Sequence, residues 1–209
     1  MLTDPSGRRA RPADVRPVAG GEVTAAAAML ARAFADDPAF RYIYPDAITL
    51  AARAPDLFAI MLASDRKAGQ VCVTPGIEAT TTWRRPGRAK AGLAEMLREG
   101  LPLLNALRGS LARALKVSSA IEAHFPDQPF WYLHIAGCDP AAQGKGHGGA
   151  VLRAGLELVP DDLPAYLETA NSANLGLYER LGFALTGDWR VGADGPRFWS
   201  MLRPAQARV

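Results

Sequence analysis

Cysteine is scarce: Cys72 and Cys138 are the only two in 209 residues. Two cysteines build no disulfide framework, and with no C-x-x-C pair or Cys/His cluster no metal site is expected. A reduced, cytoplasmic setting is the matching expectation. Long apolar runs are missing as well. The N-terminus, MLTDPSGRRARPADVRP, carries arginines without an apolar segment, and no stretch of about eighteen uncharged apolar residues occurs anywhere, so neither a signal peptide nor a membrane span is expected. Charge of one sign is not in large excess. Lys and Arg number 24 against 21 Asp and Glu, giving +3 and a pI near 9.1. That balance lacks the concentrated positive field of a nucleic-acid binder and suits a small anionic ligand better. Internal repeats are absent, and no G-x-x-x-x-G-K-[ST] can be written, which excludes the Walker A loop.

What is present is ordinary globular material, 49% hydrophobic and 22% charged, enough to bury one core. Residues 1–14 read as a polar disordered tail and 15–205 as a single domain. Val15 to Val18 suits a short strand, and the Ala-rich stretch Glu22 to Ala35 a helix stopped near Asp37-Pro38. A second helix is expected over Ile48 to Arg66. Gln70–Thr74 and Ile77–Trp83, parted by Pro75-Gly76, have the pattern of a hairpin. The leucine spacing at 93, 97, 101, 104, 107 and 111 predicts two or three helices, with breaks at Gly100-Leu101-Pro102 and at Gly109, in an insertion of about 84–129. Eight basic residues stand against Glu95 and Glu99 between 84 and 116, read as a solvated helical face. From Phe130 the order becomes βαβαββ, its second helix expected from Ser172 to Leu181, with a parallel pair at its centre.

The glycine-rich turn lies between the first strand and first helix of that unit: Gln143, Gly144, Lys145, Gly146, His147, Gly148 and Gly149. Unpaired backbone N–H groups there, with the positive end of the helix dipole, can hold phosphate oxygens. Lys145 can add charge, while His147 matters through its backbone. Gly144, Gly146 and Gly149 also satisfy G-x-G-x-x-G, with Glu168 nineteen residues on, as a dinucleotide-dependent oxidoreductase would require. Against that rival, five residues separate the strand from the first glycine, and too little chain follows for a doubly wound sheet.

The run from Phe130 to Arg203 resembles the GNAT superfamily of acyl-CoA-dependent N-acetyltransferases. One carrier is Gln143-Gly-Lys-Gly146-His-Gly148, similar to the family's Q/R-x-x-G-x-G/A loop. The other is Asn171-Ser-Ala-Asn174-Leu-Gly-Leu-Tyr178-Glu-Arg-Leu-Gly182-Phe183, which looks like its coenzyme-contacting helix and turn. AFADDPAFRYIYPD, TTWRRPG and HFPDQPFWYL extend the likeness loosely to the puromycin N-acetyltransferase-like subgroup. Cys138, where valine is usual, and His134 depart from the pattern.

The resemblance implies an α/β (α+β) fold: a central mixed, mostly antiparallel sheet with a splayed parallel pair, flanked by helices. It implies acetyl transfer from acetyl-CoA, the cosubstrate, to a primary amine of a small molecule, by direct attack in a ternary complex. The protein is then a monomer or homodimer without nucleic-acid or membrane partners. Ile135, Ala136, Gly137 and Cys138 would pair with pantetheine and polarise the carbonyl, and residues 143–149 would meet the phosphates. Asn171, Asn174 and Tyr178, spaced i, i+3 and i+7, fall on one helical face, with Leu177 and Leu181 as an apolar stripe. Gly182 would cap that helix and Phe183 re-enter the core. Tyr178 would be the general acid for a thiolate of pKa roughly 8.5, a tyrosine's own being about 10. Glu168 is the first candidate base and His134 the second. Residues 37–66, Trp83 and 84–129 would form the acceptor pocket. The same fold without chemistry, a non-catalytic acyl-CoA-binding module, is the alternative.

Overall fold

A computed structural model describes residues 14–90 and 93–206; the expected tail therefore lies almost wholly outside the described residues. The chain opens with β1 (Arg16–Pro17), α1 (Val23–Ala33), α2 (Pro38–Ile43) and α3 (Ala47–Ala68). The α2 helix falls where only a stop was expected. Asp37 accepts from the amides of Ala39 and Phe40 while Pro38 stands at the first helical position, so the Asp-Pro pair starts a helix as well as ending one. Asp46 caps α3 in the same way through Thr49.

The hairpin forms as β2 (Gly69–Val73) and β3 (Ala79–Arg84), followed by α4 (Leu93–Ala106) and α5 (Leu111–Glu122). Gly109, at φ +76, makes the break between those two helices, whereas Gly100-Leu101-Pro102, also expected to be a break, lies inside α4. They are tied to the N-terminal helices by side chains that satisfy backbone carbonyls: Tyr44 Oη donates to Ala106 O, Arg53 to Asn105 O, and Arg113 to Ile43 O. Then come β4 (Trp131–Cys138), α6 (His147–Leu156), β5 (Ala165–Thr169), α7 (Leu175–Glu179), β6 (Ala184–Arg190) and β7 (Arg197–Arg203).

The seven strands form one sheet in the order β1-β2-β3-β4-β5-β7-β6. Every neighbouring pair is antiparallel except β4 and β5. That arrangement bears out the expected mixed sheet and is not the doubly wound parallel sheet of the oxidoreductase rival. The β4–β5 ladder has only two registers, Trp131 with Ala165 and Tyr132 with Tyr166. Beyond them the strands splay. The pairing with β3 also slips, between Thr82 and Trp83, leaving His134 as the extra residue of a bulge on β4.

The bulge resets which side chains face which layer. Leu133 packs with Trp83 and Leu152 beneath α6, whereas Ile135 joins the core under α1 and α3 with Leu30 and Phe58. A Cβ on Gly137 would stand 2.5 Å from Leu30 Cδ2, so α1 lies directly against β4 there. On the α6 side a Cβ on Gly155 would come within 1.9 Å of Trp83 Nε1. Trp83 is 0% exposed and donates its indole N–H to Thr81 Oγ1. It is a core residue under α6 and cannot line an acceptor pocket, contrary to expectation. The strand alternation that puts Arg84 on one face puts Trp83 on the other.

With 22 residues, α3 is by length and composition apolar enough to cross a membrane. Its Leu50, Leu57, Phe58 and Leu62 are buried in the core, however, and Ser64 and Asp65 near its end are buried polar residues bonded to β3. It serves here as a core helix.

Candidate functional site

Where β4 and β5 part, both strands present a titratable residue to the same face. Tyr132 and Tyr166 are the last paired residues, and two positions further along each strand lie His134 and Glu168. The Tyr132 hydroxyl crosses the seam and donates to Glu168 Oε1. Oε2 of the same carboxyl is shielded from solvent and has no hydrogen-bond partner among the described residues. Burial raises Glu168 to a pKa of about 8, with the Tyr132 hydrogen bond opposing the rise. Such a carboxyl exchanges its proton near neutral pH, as a general base must.

His134 is held from behind. Its Nδ1 stands 3.0 and 2.9 Å from the two oxygens of Asp65 on α3, and Asp65 Oδ1 also accepts from Arg84 Nε at 2.6 Å. Arg84 continues to Ser64 Oγ. The Asp65 side chain is 0% exposed and that of His134 21%. Burial alone would raise the Asp65 carboxyl, but His134 and Arg84 outweigh it and hold it below the usual range. The Tyr132 and His134 rings lie 5.4 Å apart, which joins the two clusters. Asp65 escaped the sequence reading, and Arg84, counted there with the basic residues of a solvated helical face, is instead a buried β3 residue, since nothing in their local pattern shows that α3 crosses over the bulge.

Tyr178 is 6% exposed and packs edge-on against Phe183. Burial, with Asp37 and Glu168 adding to it, pushes its hydroxyl above the ordinary tyrosine value. The helix carrying it is shorter than expected. Asn171 caps a 3₁₀ turn by accepting from the Ala173 amide, Asn174 ends that turn, and α7 begins only at Leu175. The i, i+3, i+7 face therefore does not exist as one α-helical stripe; the capping asparagine winds the first turn more tightly than an α-helix. Gly182 does adopt φ +88 and Phe183 is buried, as expected, and Leu175, Leu177 and Leu181 pack on the core.

At the far end of β4, Asp139 accepts from Ala141 N and pairs with Arg32 of α1 at 2.5 Å. Gln143 Nε2 reaches back to Cys138 O at 3.5 Å. Gly144 and Gly146 take φ +77 and +91, conformations that side-chain-bearing residues resist. Gly146 leads directly into α6, whose first amides, at 147–149, have no partner inside the helix. Gly148 and Gly149 are helical; a Cβ on Gly149 would sit 3.2 Å from the guanidinium of the exposed Arg153, a positive charge that the sequence reading passed over. Lys145 turns its Nζ back onto Ala141 O. His147 is buried, with Nδ1 3.9 Å from Glu78 Oε2. Cys138 is half-buried and its thiol is pushed up by burial, which suits packing rather than reactivity. Among the described residues no group of His, Cys, Asp and Glu could hold a metal ion. The edge of β4 over residues 135–138 has no strand partner on the β5 side, and of the amides at the start of α6 that of Gly148 is turned to the Cys138 sulfur.

Residues 110–183, which include all of β4, the glycine turn, α6, β5 and Tyr178, match the family described as Acetyltransferase (GNAT) family. Among curated relatives, the mycothiol acetyltransferases of Salinispora tropica and Mycobacteroides abscessus are 40% and 44% identical over 57 residues, a quarter of this chain. The matched part spans about a fifth, 19%, of the length of those relatives. In fold, a crystal structure described as histone acetyltransferase HPA2 and related acetyltransferase from Corynebacterium glutamicum superposes with a TM-score of 0.68 at 24% identity, covering 93% of this chain and 97% of that one. Arylalkylamine N-acetyltransferase 2 from Aedes aegypti gives 0.60 at 12% identity, covering 92% and 98%. Residues 110–183, centred on the parallel pair, thus resemble the GNAT family, and the seven-stranded sheet that opens at that same pair has the fold of these acetyltransferase structures.

Proposed function

We propose that the protein transfers an acetyl group from acetyl-CoA to a primary amine of a small molecule, by direct attack within a ternary complex. The observation that carries this reading is Glu168: a buried carboxyl at the opening of the parallel pair, with one oxygen held by Tyr132 and the other without a partner among the described residues. An ammonium group set against Oε2 supplies the missing hydrogen bond and loses its proton to it. Backbone at 135–138 lies along the open edge to pair with pantetheine, and the amides at 147–149 with Arg153 receive the phosphates. Tyr178 donates to the departing thiolate. With its pKa raised, it stays protonated until that moment and acts first by hydrogen bonding.

The family match covers the coenzyme side of the site, and the short stretch shared with the mycothiol acetyltransferases does not carry their acceptor over to this chain. The experiment is a panel of small amines assayed for acetyl-CoA-dependent thiol release. Release with at least one primary amine supports the proposal. Tight acetyl-CoA binding with no release from any amine would leave a binding module instead.

A further inference from the structure

We infer that Asp65, fixed by Arg84, is a positioning residue that holds His134 with Nδ1–H turned inward and Nε2 bare, making His134 the second proton acceptor of the reaction. The inference rests on the proposed acetyl transfer, whose proton balance requires more than Glu168. Between ammonium and amide, nitrogen loses two protons. The thiolate takes one, from Tyr178. Of the two removed from nitrogen, one therefore restores Tyr178 and the other leaves to water. Glu168 Oε2 accepts one proton at a time, so a second acceptor in the opening is needed for the other.

The geometry supplies one. His134 and Glu168 occupy matching positions on β4 and β5, each just past the last paired residue, and Tyr132 stands beside one and is bonded to the other. Asp65 spends both oxygens on His134 Nδ1 and one of them also on Arg84 Nε. A carboxylate accepts only, so it selects the tautomer protonated at Nδ1. Arg84 keeps Asp65 ionised and fixed in place, while the partial exposure of His134 gives the proton a way out. The bulge matters here. It places His134 and Ile135 together on the α3 side of the sheet, where Asp65 can reach the ring.

Nitrogen-15 NMR of the full-length, histidine-labelled protein reads the tautomer directly, with the His134→Gln variant assigning the signals. Protonated Nδ1 and bare Nε2 in the neutral ring of His134 are expected; the opposite tautomer overturns the inference. In turnover, His134→Gln should lower kcat by about 10²-fold with the KM for acetyl-CoA nearly unchanged, and added imidazole should restore His134→Ala in proportion to its free base. A kcat for His134→Gln within threefold of the unmodified protein, or a loss in His134→Ala that imidazole does not restore, also overturns it. Both variants leave the Asp65–Arg84 pair intact, so they avoid the folding risk of Asp65→Asn, which strips a buried arginine of its carboxylate. If the unmodified protein releases no thiol with any amine, acetyl transfer itself fails, and the tautomer still decides whether Asp65 positions His134.

Discussion

At the scale of single residues, the proposed reaction makes Glu168 the group that sets its pH dependence, and the raised pKa of the same carboxyl ties it to stability. If its carboxylate is the base, kcat/KM should rise with pH through about 8 and then level off. Tyr132→Phe removes a hydrogen bond to the charged form, so that limb should move to higher pH; an unmoved limb would separate Tyr132 from the base. Folding shows the reverse trend. The folded state keeps a proton on Glu168 that the unfolded chain sheds at an ordinary carboxyl pKa, so the residue costs stability increasingly as pH rises from about 4.5 to about 8. Calorimetry of Glu168→Gln should show a Tm several degrees above that of the unmodified protein at pH 8.5 and little difference at pH 4, together with a severe loss of activity at pH 8.5. Tyr178→Phe keeps the ring in its apolar pocket and removes only the hydroxyl. Its kcat should fall roughly 10²-fold with acetyl-CoA affinity unchanged, whereas lower thermal stability with normal turnover would make Tyr178 a packing residue.

At the scale of elements, the two glycines of the α6 layer act in different ways. Gly155 lets the helix rest on the Trp83 indole, so Gly155→Ala should cost about 2 kcal/mol by denaturant titration without altering coenzyme affinity in the folded fraction. Gly148 has room for a side chain, its Cβ position lying 3.8 Å from Cys138 Cβ. Gly148→Asp therefore puts a negative charge in the first turn, where the helix dipole tolerates it and an incoming phosphate does not. Acetyl-CoA binding should weaken at least tenfold in calorimetry while the fold survives; unchanged affinity would move the phosphates elsewhere. Local pattern was a good guide wherever chemistry and spacing coincide. Gly146 at a helix start, Gly182 at a helix end and the β-branched run ending at Trp83 all stand in the elements their sequence suggests. It misled where a long-range contact decides. Trp83 looks like a pocket aromatic until α6 is laid over it, Asp65 like a surface carboxylate until α3 crosses the bulge, and Asn171 like a helical residue until its side chain caps its own backbone. The bulge at His134 left no mark in the sequence, because a one-residue slip against β3 changes partners and not composition.

At the scale of the whole molecule, the sheet is two ribbons, β1–β4 and β5–β7–β6, stitched by two registers of backbone pairing and by a knot of rings. Phe125, Phe130, Tyr132 and Tyr166 meet across that stitch at 5.1–6.3 Å, edge to face in each pair but the tilted Tyr132–Tyr166, and the Tyr166 hydroxyl donates to His124 O and Ser200 Oγ. Hydrogen exchange should find the amides of 131–132 and 165–166 among the slowest and those of 135–138 markedly faster. Saturating acetyl-CoA should slow the latter group while leaving the former unchanged; equal protection along β4 in the free protein would mean that the opening is closed in solution. If acetyl-CoA binds as proposed, its extended thioester chain works in that opening as a temporary eighth strand, bridging by its own amides the two halves that the polypeptide leaves apart. The coenzyme is then a strut as well as a reagent: loading it should stiffen the distant edges of the sheet, and each turnover that ends in its departure should loosen them again.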